Sequence, residues 1–264
     1  MNKIAFRMDD IGASSKKWEV YGKGFFQAGN LKVRIPLVTN FLFLKYLSVF
    51  KGRGPYRELN KNDWQRIFAI LKKHKASMTI GITACWVERD GSLIPFPEKF
   101  PKEAGILKKG LREGLIEIAN HGLTHCVIGK HLPRLFKGNR KYHREFWPWL
   151  PENTHQEHIE RSQQILENYF GQKVITFIPP GNVWNQKTER HASRYGIKYL
   201  SSTADLAPNG EISNGVKYIS GENVFAFHDR EVVLYGTNWL KKSIERYLSR
   251  KKQICTIKEL GKYG

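Results

Sequence analysis

"IAFRMDD" (Ile4–Asp10) and "EIANHGLTH" (Glu117–His125) decide how this chain is read. The first is an apolar run with strand character that ends in two adjacent carboxylates. The second is a short apolar run followed at once by two histidines four positions apart. Working outward, the same arrangement recurs. Strands are expected at Ile4–Met8, Met78–Thr83, Leu115–Ala119, Val174–Ile178, Lys198–Ser201, Val224–Phe227 and Gln253–Ile257. Helical periodicity lies between them. In Asp63–His74, Trp64, Ile67, Phe68 and Leu71 share one face; Lys102–Arg112, Gln156–Phe170, Gln186–Tyr195 and Asn238–Arg250 follow, with Gly171 and Gly196 as stop signals. Strand–helix alternation over the whole length predicts βα units and a parallel sheet, open or closed. In such folds chemistry gathers at the carboxyl ends of strands. That rule selects Asp9 and Asp10, His121 and His125, the Pro179–Pro180–Gly181 turn, and His228 with Asp229.

The composition narrows the partners. In 264 residues, 44 Lys and Arg stand against 24 Asp and Glu, a net charge of +20. Such a field favours an anionic partner: nucleic acid, anionic lipid headgroups or an acidic or phosphorylated glycan. A basic surface kept for solubility, or for joining a large complex, fits the same number. No helix-turn-helix, zinc finger or RNA-binding aromatic signature is visible, so nucleic acid is not the expected partner. Cys85, Cys126 and Cys255 have no regular spacing and suggest neither a disulfide framework nor a thiolate metal site. No secretory leader and no run of ~18 apolar residues is seen. A cytoplasmic protein is expected, with peripheral association at an anionic membrane face. The segment after Gly22 is rich in aromatics and basic residues (Phe41, Phe43, Tyr46, Phe50; Lys45, Lys51, Arg53). It reads as a helix packed on the sheet, or as an interfacial contact or acyl-chain groove. The oligomeric state is not readable.

Two histidines at i and i+4 can bind one ion, and a carboxylate completes a two-His, one-carboxylate set with positions left for water and substrate. A pair of surface or capping histidines has the same spacing, so HxxxH alone decides nothing.

The order "FRMDDIG", "NHGLTH", "FIPPGN" and "FAFHD" resembles the polysaccharide deacetylases of the NodB-homology type, carbohydrate esterase family 4, over nearly the whole chain. The resemblance implies an irregular (β/α)7 barrel. It implies one catalytic domain over 1–264, with insertions near 22–62 and 127–150. It implies a divalent metal, zinc by default with cobalt or nickel as substitutes, held by Asp10, His121 and His125. Asp9 matches the catalytic base and His228 the general acid. The implied reaction is hydrolysis of an N-acetyl or similar N-acyl group on an amino sugar. The implied partner is an amino-sugar glycan or a sugar phosphate, as in cell-envelope glycan synthesis.

The departures are specific. Ile11 stands between the Asp pair and Gly12. Ile178 stands where the family carries the arginine that orients the base. Arg7, two residues before Asp9 on the same strand face, is the candidate replacement. In place of the family's DxxDW motif there is only SSTADL; Asp205 or Asp229 is left to orient His228. Pro180, Gly181, Asn182 and Asn185 contact substrate or shape the turn. The basic insertion 130–143 is a lid or phosphate clamp, or else a solvated loop. His155 and His158 read as solvated helix-face residues, and His74, His131, His143 and His191 as surface. Other readings are a NodB-like hydrolase of another non-peptide C–N bond (a cyclic amide or formamide), a basic nucleic-acid-binding protein, and a non-catalytic glycan-binding barrel.

Overall fold

The computed structural model describes residues 2–34, 43–134 and 138–263. Its frame is an irregular (β/α)7 barrel built on β1 (Lys3–Ile11), β2 (Met78–Ile82), β3 (Ile116–Asn120), β4 (Thr176–Phe177), β5 (Tyr199–Ser201), β6 (Val216–Ile219) and β7 (Val224–His228). These run parallel in the order β6-β5-β4-β3-β2-β1-β7. A further short strand, β8 (Gln253–Cys255), pairs with the start of β1. The longer helices are α1 (Lys61–Lys73), α2 (Pro101–Arg112), α3 (Glu152–Phe170), α4 (Gln186–Arg194), α5 (Asp229–Tyr235), α6 (Thr237–Ser249) and α7 (Ile257–Tyr263).

Side-chain alternation assigns the two faces of the barrel wall. On β1, Ile4, Phe6 and Met8 join the apolar cluster under the helices, where the Phe6 ring meets Phe225 at 4.9 Å and Tyr247 of α6 at 5.5 Å. The alternate residues Ala5, Arg7 and Asp9 therefore face inward. On β7 the same parity sends Phe225 and Phe227 outward and His228 inward, in register with Asp9. β2 and β3 repeat it: Met78, Ile80, Ile82, Ile116 and Ile118 are outside, while Thr79 and Glu117 are inside.

Local signals explain the helices. Asn60 caps α1 by accepting from the Asn62 and Asp63 amides, and Trp64, Ile67, Phe68 and Leu71 are its buried face. α3 stops at Gly171, whose φ of 72° is left-handed.

Several expectations are corrected. The sequence reading has no strand between 201 and 224. β6 carries no strand signal in the sequence because VKYI is four residues long and half polar, too short to show a period. The strand expected through Ile257 ends at Cys255, and Ile257 opens α7. The aromatic segment is not a helix among the described residues. Leu44–Tyr46 is one 3₁₀ turn, and Lys51–Arg53 pairs antiparallel with Tyr21–Gly22. Residues 35–42 of that stretch, Phe41 among them, lie outside the described residues. Among the described residues no helix is long and apolar enough to cross a membrane.

Candidate active site

In a regular strand, Asp9 and Asp10 would point to opposite faces. They do not, because β1 carries a bulge. Met8 pairs with Ile80 and Ile11 with Ile82, so β1 uses one more residue than β2, and Asp10 takes up the excess at φ 71°. Both carboxylates then reach the carboxyl end of the barrel. His125 also sits at positive φ, 55°. Left-handed backbone at a non-glycine residue costs about 1 kcal/mol or more, and here it occurs at two residues that converge on one point.

Asp10 Oδ1 lies 3.2 Å from His121 Nε2 and 3.1 Å from His125 Nε2, with all three residues buried. Four-coordinate zinc with bonds of ~2.0–2.1 Å places its ligand atoms roughly 3.3 Å apart, so the set fits such an ion. Both rings are oriented from behind. His121 Nδ1–H donates to the Ile178 carbonyl at 2.7 Å, and His125 Nδ1 lies 3.1 Å from Ser15 Oγ. The carbonyl leaves His121 with Nε2 as the lone pair facing the site, and Ser15 Oγ does the same for His125 when it accepts. His125 Nε2 makes no well-aligned hydrogen bond despite its burial. Burial works against the charge of this ring, but the adjacent Asp10 carboxylate outweighs it and raises the pKa. Burial opposes the ionisation of Asp10, but the charges of His228 and His125 and the His121 hydrogen bond outweigh it and hold the carboxyl well below its usual range.

Asp9 is not part of this triangle. Arg7 donates to its Oδ2 at 2.8 Å and to Ser201 Oγ at 3.0 Å, while Oδ1 is buried without a partner. Arg7 thus holds the Asp9 carboxylate directly, from the strand face on which parity places it, while Ile178 offers no polar side chain. His228 lies across the cavity, with Nδ1 3.4 Å from Glu231 Oε2. Burial works against its charge; the Asp10 carboxylate and the Glu231 hydrogen bond prevail and raise its pKa to about 9. These groups border a cavity of about 230 Å³, joined by Gly181, Asn182, Arg140 and Arg144.

Other expected residues fall elsewhere. Asp205 is exposed and does not border the cavity. Asp229 is fully buried, but it pairs with Lys16, which Glu58 also contacts, and the two carboxylates keep that buried ammonium charged. Neither orients His228, whose acidic neighbour is Glu231. Pro180 is buried beneath the turn, Asn182 accepts from Ser202 Oγ at 2.9 Å, and Asn185 caps α4.

The histidines expected at the surface are mostly interior. His131, His143, His155 and His191 are buried, and His74 is half-buried near Glu245. His155 bonds Thr188 Oγ1 at 2.8 Å. His158 bonds Glu145 Oε1 at 2.6 Å. Hydrogen bonding to distant segments let these rings go inside, and nothing in local periodicity announces it.

Glu145 is the main residue that sequence reasoning missed. Its carboxylate accepts from the amides of Leu123 (2.9 Å), Thr124 (3.1 Å) and His125 (2.9 Å), clamping the loop that carries both histidines. Gly122, at φ 80°, makes this possible, since a Cβ there would lie 2.1 Å from Glu145 Oε2. A glycine directly after the first histidine was the available sequence signal.

A βα barrel with two histidines and a carboxylate gathered at its strand ends, a second carboxylate beside them and a histidine opposite defines a class of site suited to metal-assisted hydrolysis. The family comparison agrees in kind. The model of the polysaccharide deacetylase family matches residues 53–200, more than half of the chain, and the protein belongs to that family. No curated protein sequence matches it closely enough to count as a relative. Among solved structures, a carbohydrate esterase family 4 pseudoenzyme from Bacillus anthracis aligns at 16% identity and TM-score 0.49, covering 76% of this chain and 61% of its own. This chain therefore spans less than two thirds of that protein. A family 4 acetyl xylan esterase from Clostridium thermocellum, in complex with a cobalt ion, aligns at 13% identity and TM-score 0.46, covering 77% and 86%. A 4-alpha-glucanotransferase from Thermococcus litoralis aligns at 13% identity and TM-score 0.50, covering 76% and 36%. At these identities the likeness concerns the fold.

Proposed function

We propose that the protein is a metal-dependent hydrolase, one catalytic domain over 1–264, that removes an N-acetyl or similar N-acyl group from an amino sugar. The observation that carries this reading is the pairing of a buried Asp10–His121–His125 triangle with the unpartnered Oδ1 of Asp9. A divalent ion held by the triangle, zinc by default, supplies Lewis acidity toward the acyl carbonyl and lowers the pKa of water toward ~7. The chain supplies the rest. Asp9, oriented by Arg7, takes the proton of the attacking water through Oδ1. In the Pro179–Pro180–Gly181 turn only Gly181 has an N–H, and it is the donor for the developing oxyanion. His228, its charged form favoured by its neighbours, gives the leaving amine its proton.

Two variants test this reading. Asp10→Ala should lose bound metal, measured by elemental analysis of purified protein. Asp9→Asn should keep the metal and lose roughly 10²–10⁴-fold in rate on an N-acetyl amino sugar. Full metal occupancy in Asp10→Ala, or near wild-type turnover in Asp9→Asn, removes the assignment. A wild-type enzyme that cleaves only cyclic amides or formamides redirects it to another C–N bond.

A further inference from the structure

The cavity beside the metal ligands is bordered by four arginines, Arg7, Arg140, Arg144 and Arg230. Two are already neutralised. Arg7 pairs with Asp9 at 2.8 Å, and Arg230 with Glu19 at 2.6 Å. Arg140 and Arg144 have no acidic partner among the described residues; Arg140 lies over the Tyr21 ring at 5.6 Å and Arg144 over the Trp147 ring at 5.8 Å. Lys45, which does not border the cavity, is near enough to Arg140 to feel its charge, its pKa lowered by burial and then by that charge. Cations gathered this closely repel one another, and a bound anion relieves that repulsion.

The wall is built rather than a loose basic loop. Val127 N–H donates to the Tyr142 carbonyl at 2.9 Å, and the buried Glu145 clamp follows Arg144 directly. Arg144 lies across the Gly181 turn, where a Cβ would come within 2.6 Å of its Cγ. Between the two arginines, His143 is buried and borders the cavity. Its Nε2–H donates to the His131 carbonyl at 3.1 Å, which leaves Nδ1 as an acceptor with no partner. Two guanidinium groups and a hydroxyl acceptor thus share one wall, next to the turn that carries the proposed oxyanion donor.

We propose that the substrate is a phosphorylated amino sugar, and that Arg140 and Arg144 form the subsite for its phosphate; this rests on the deacetylase reading above. A single carboxylate is usually satisfied by one guanidinium fork. A phosphate group has up to two charges and three free oxygens at neutral pH, and so can engage two arginines from different positions. The phosphate can belong to a free sugar phosphate, a nucleotide-linked sugar or a lipid-linked sugar. Earlier in the basic insertion, Arg134 does not border the cavity, and Lys137 lies outside the described residues. The inference therefore falls on Arg140 and Arg144 alone.

The test uses the metal-loaded protein. Rates are compared for N-acetylglucosamine, its 1-phosphate, UDP-N-acetylglucosamine and a polyprenyl-phosphate-linked form, with N-acetylmuramic acid as the carboxylate control. Calorimetric binding of the first two sugars runs in parallel. The 1-phosphate should exceed the neutral sugar roughly 10- to 100-fold in kcat/KM or affinity. The preference should shrink with added salt. The Arg140→Ser/Arg144→Ser double variant should keep its metal and bring that ratio close to one, through KM more than kcat. A larger gain for the UDP or the polyprenyl form identifies the source of the phosphate. Arginine-dependent binding of the 1-phosphate without turnover of any sugar upholds the subsite while the deacetylase reading fails. A wild-type ratio near one, a ratio unchanged in the double variant, or a stronger preference for the carboxylate sugar overturns the subsite even if deacetylation is confirmed.

Discussion

Two buried glutamates, one at each end of the barrel, behave in opposite ways. Glu145 sits at the carboxyl end of the strands, beneath the loop that carries His121 and His125. Glu117 is the second residue of β3 and lies inside the barrel toward the other end. Glu145 accepts from three backbone amides and from His158, and these outweigh burial and hold its carboxyl below the usual range. Glu117 accepts from Thr79 Oγ1 at 2.8 Å, from Lys258 N at 2.9 Å and from Thr176 Oγ1. There burial prevails and its pKa is raised. The difference lies in the donors. Amide N–H groups can only be satisfied by an acceptor, and a protonated His158 adds its charge, which favours the anion. Hydroxyls can turn and accept, so they tolerate a neutral acid. One end of the barrel stabilises charge and the other tolerates its absence.

Glutamine substitution breaks this symmetry most sharply. In Glu145→Gln either orientation of the amide points its NH₂ at an N–H that cannot accept. A loss of about 3 kcal/mol in denaturant-measured stability is expected, with weakened metal binding. Stability within ~0.5 kcal/mol of wild type and full metal affinity would show that the clamp is incidental. Gly122→Ala attacks the same clamp from the backbone side, adding a Cβ at positive φ against Glu145 Oε2. A loss of about 2 kcal/mol is expected, with metal affinity falling more than in a Gly→Ala change on an open surface turn. An unaltered metal titration would argue against the seat described for Glu145.

Glu117→Gln should have the smallest effect, because Thr176 Oγ1 can rotate to accept from the new NH₂. The sign follows from the raised pKa. The contribution of Glu117 to stability is full below its unfolded pKa of about 4.3 and is lost as pH rises through the higher folded value. At pH 7 the glutamine variant should therefore equal or exceed wild type by up to ~1 kcal/mol, and this advantage should fade as pH falls toward about 4. A variant clearly less stable at pH 7 than at low pH, relative to wild type, contradicts that picture.

Much of the site was legible because its parts are local. A carboxylate pair at the end of an apolar run, and HxxxH at the end of another, are positions that a βα fold must bring to one rim. Strand parity alone put Arg7 on the face of Asp9. The misreadings have a common cause. His155, His158 and His143 read as solvated or surface residues from their polar sequence neighbours, yet His155 and His143 are buried and His158 is half-buried, each held by partners outside its own turn. β6 was missed because a four-residue strand has no measurable period. Arg140 and Arg144 could be seen as basic, but not as the two arginines of the cavity without an acidic partner among the described residues.

The sequence by itself determined the alternation of strands and helices, the inward face of each long strand and the identity of the five residues from Asp9 to His228 that gather at the rim. These follow from spacing along the chain, which local steric and hydrophobic rules convert directly into geometry. Tertiary structure alone decided that a bulge turns Asp10 to stand with Asp9, that Glu145 rather than a metal-site neighbour holds the histidine loop, and that Glu231 rather than Asp205 or Asp229 faces His228. Each of these depends on a hydrogen bond or register between groups whose mutual position exists only once the barrel has formed.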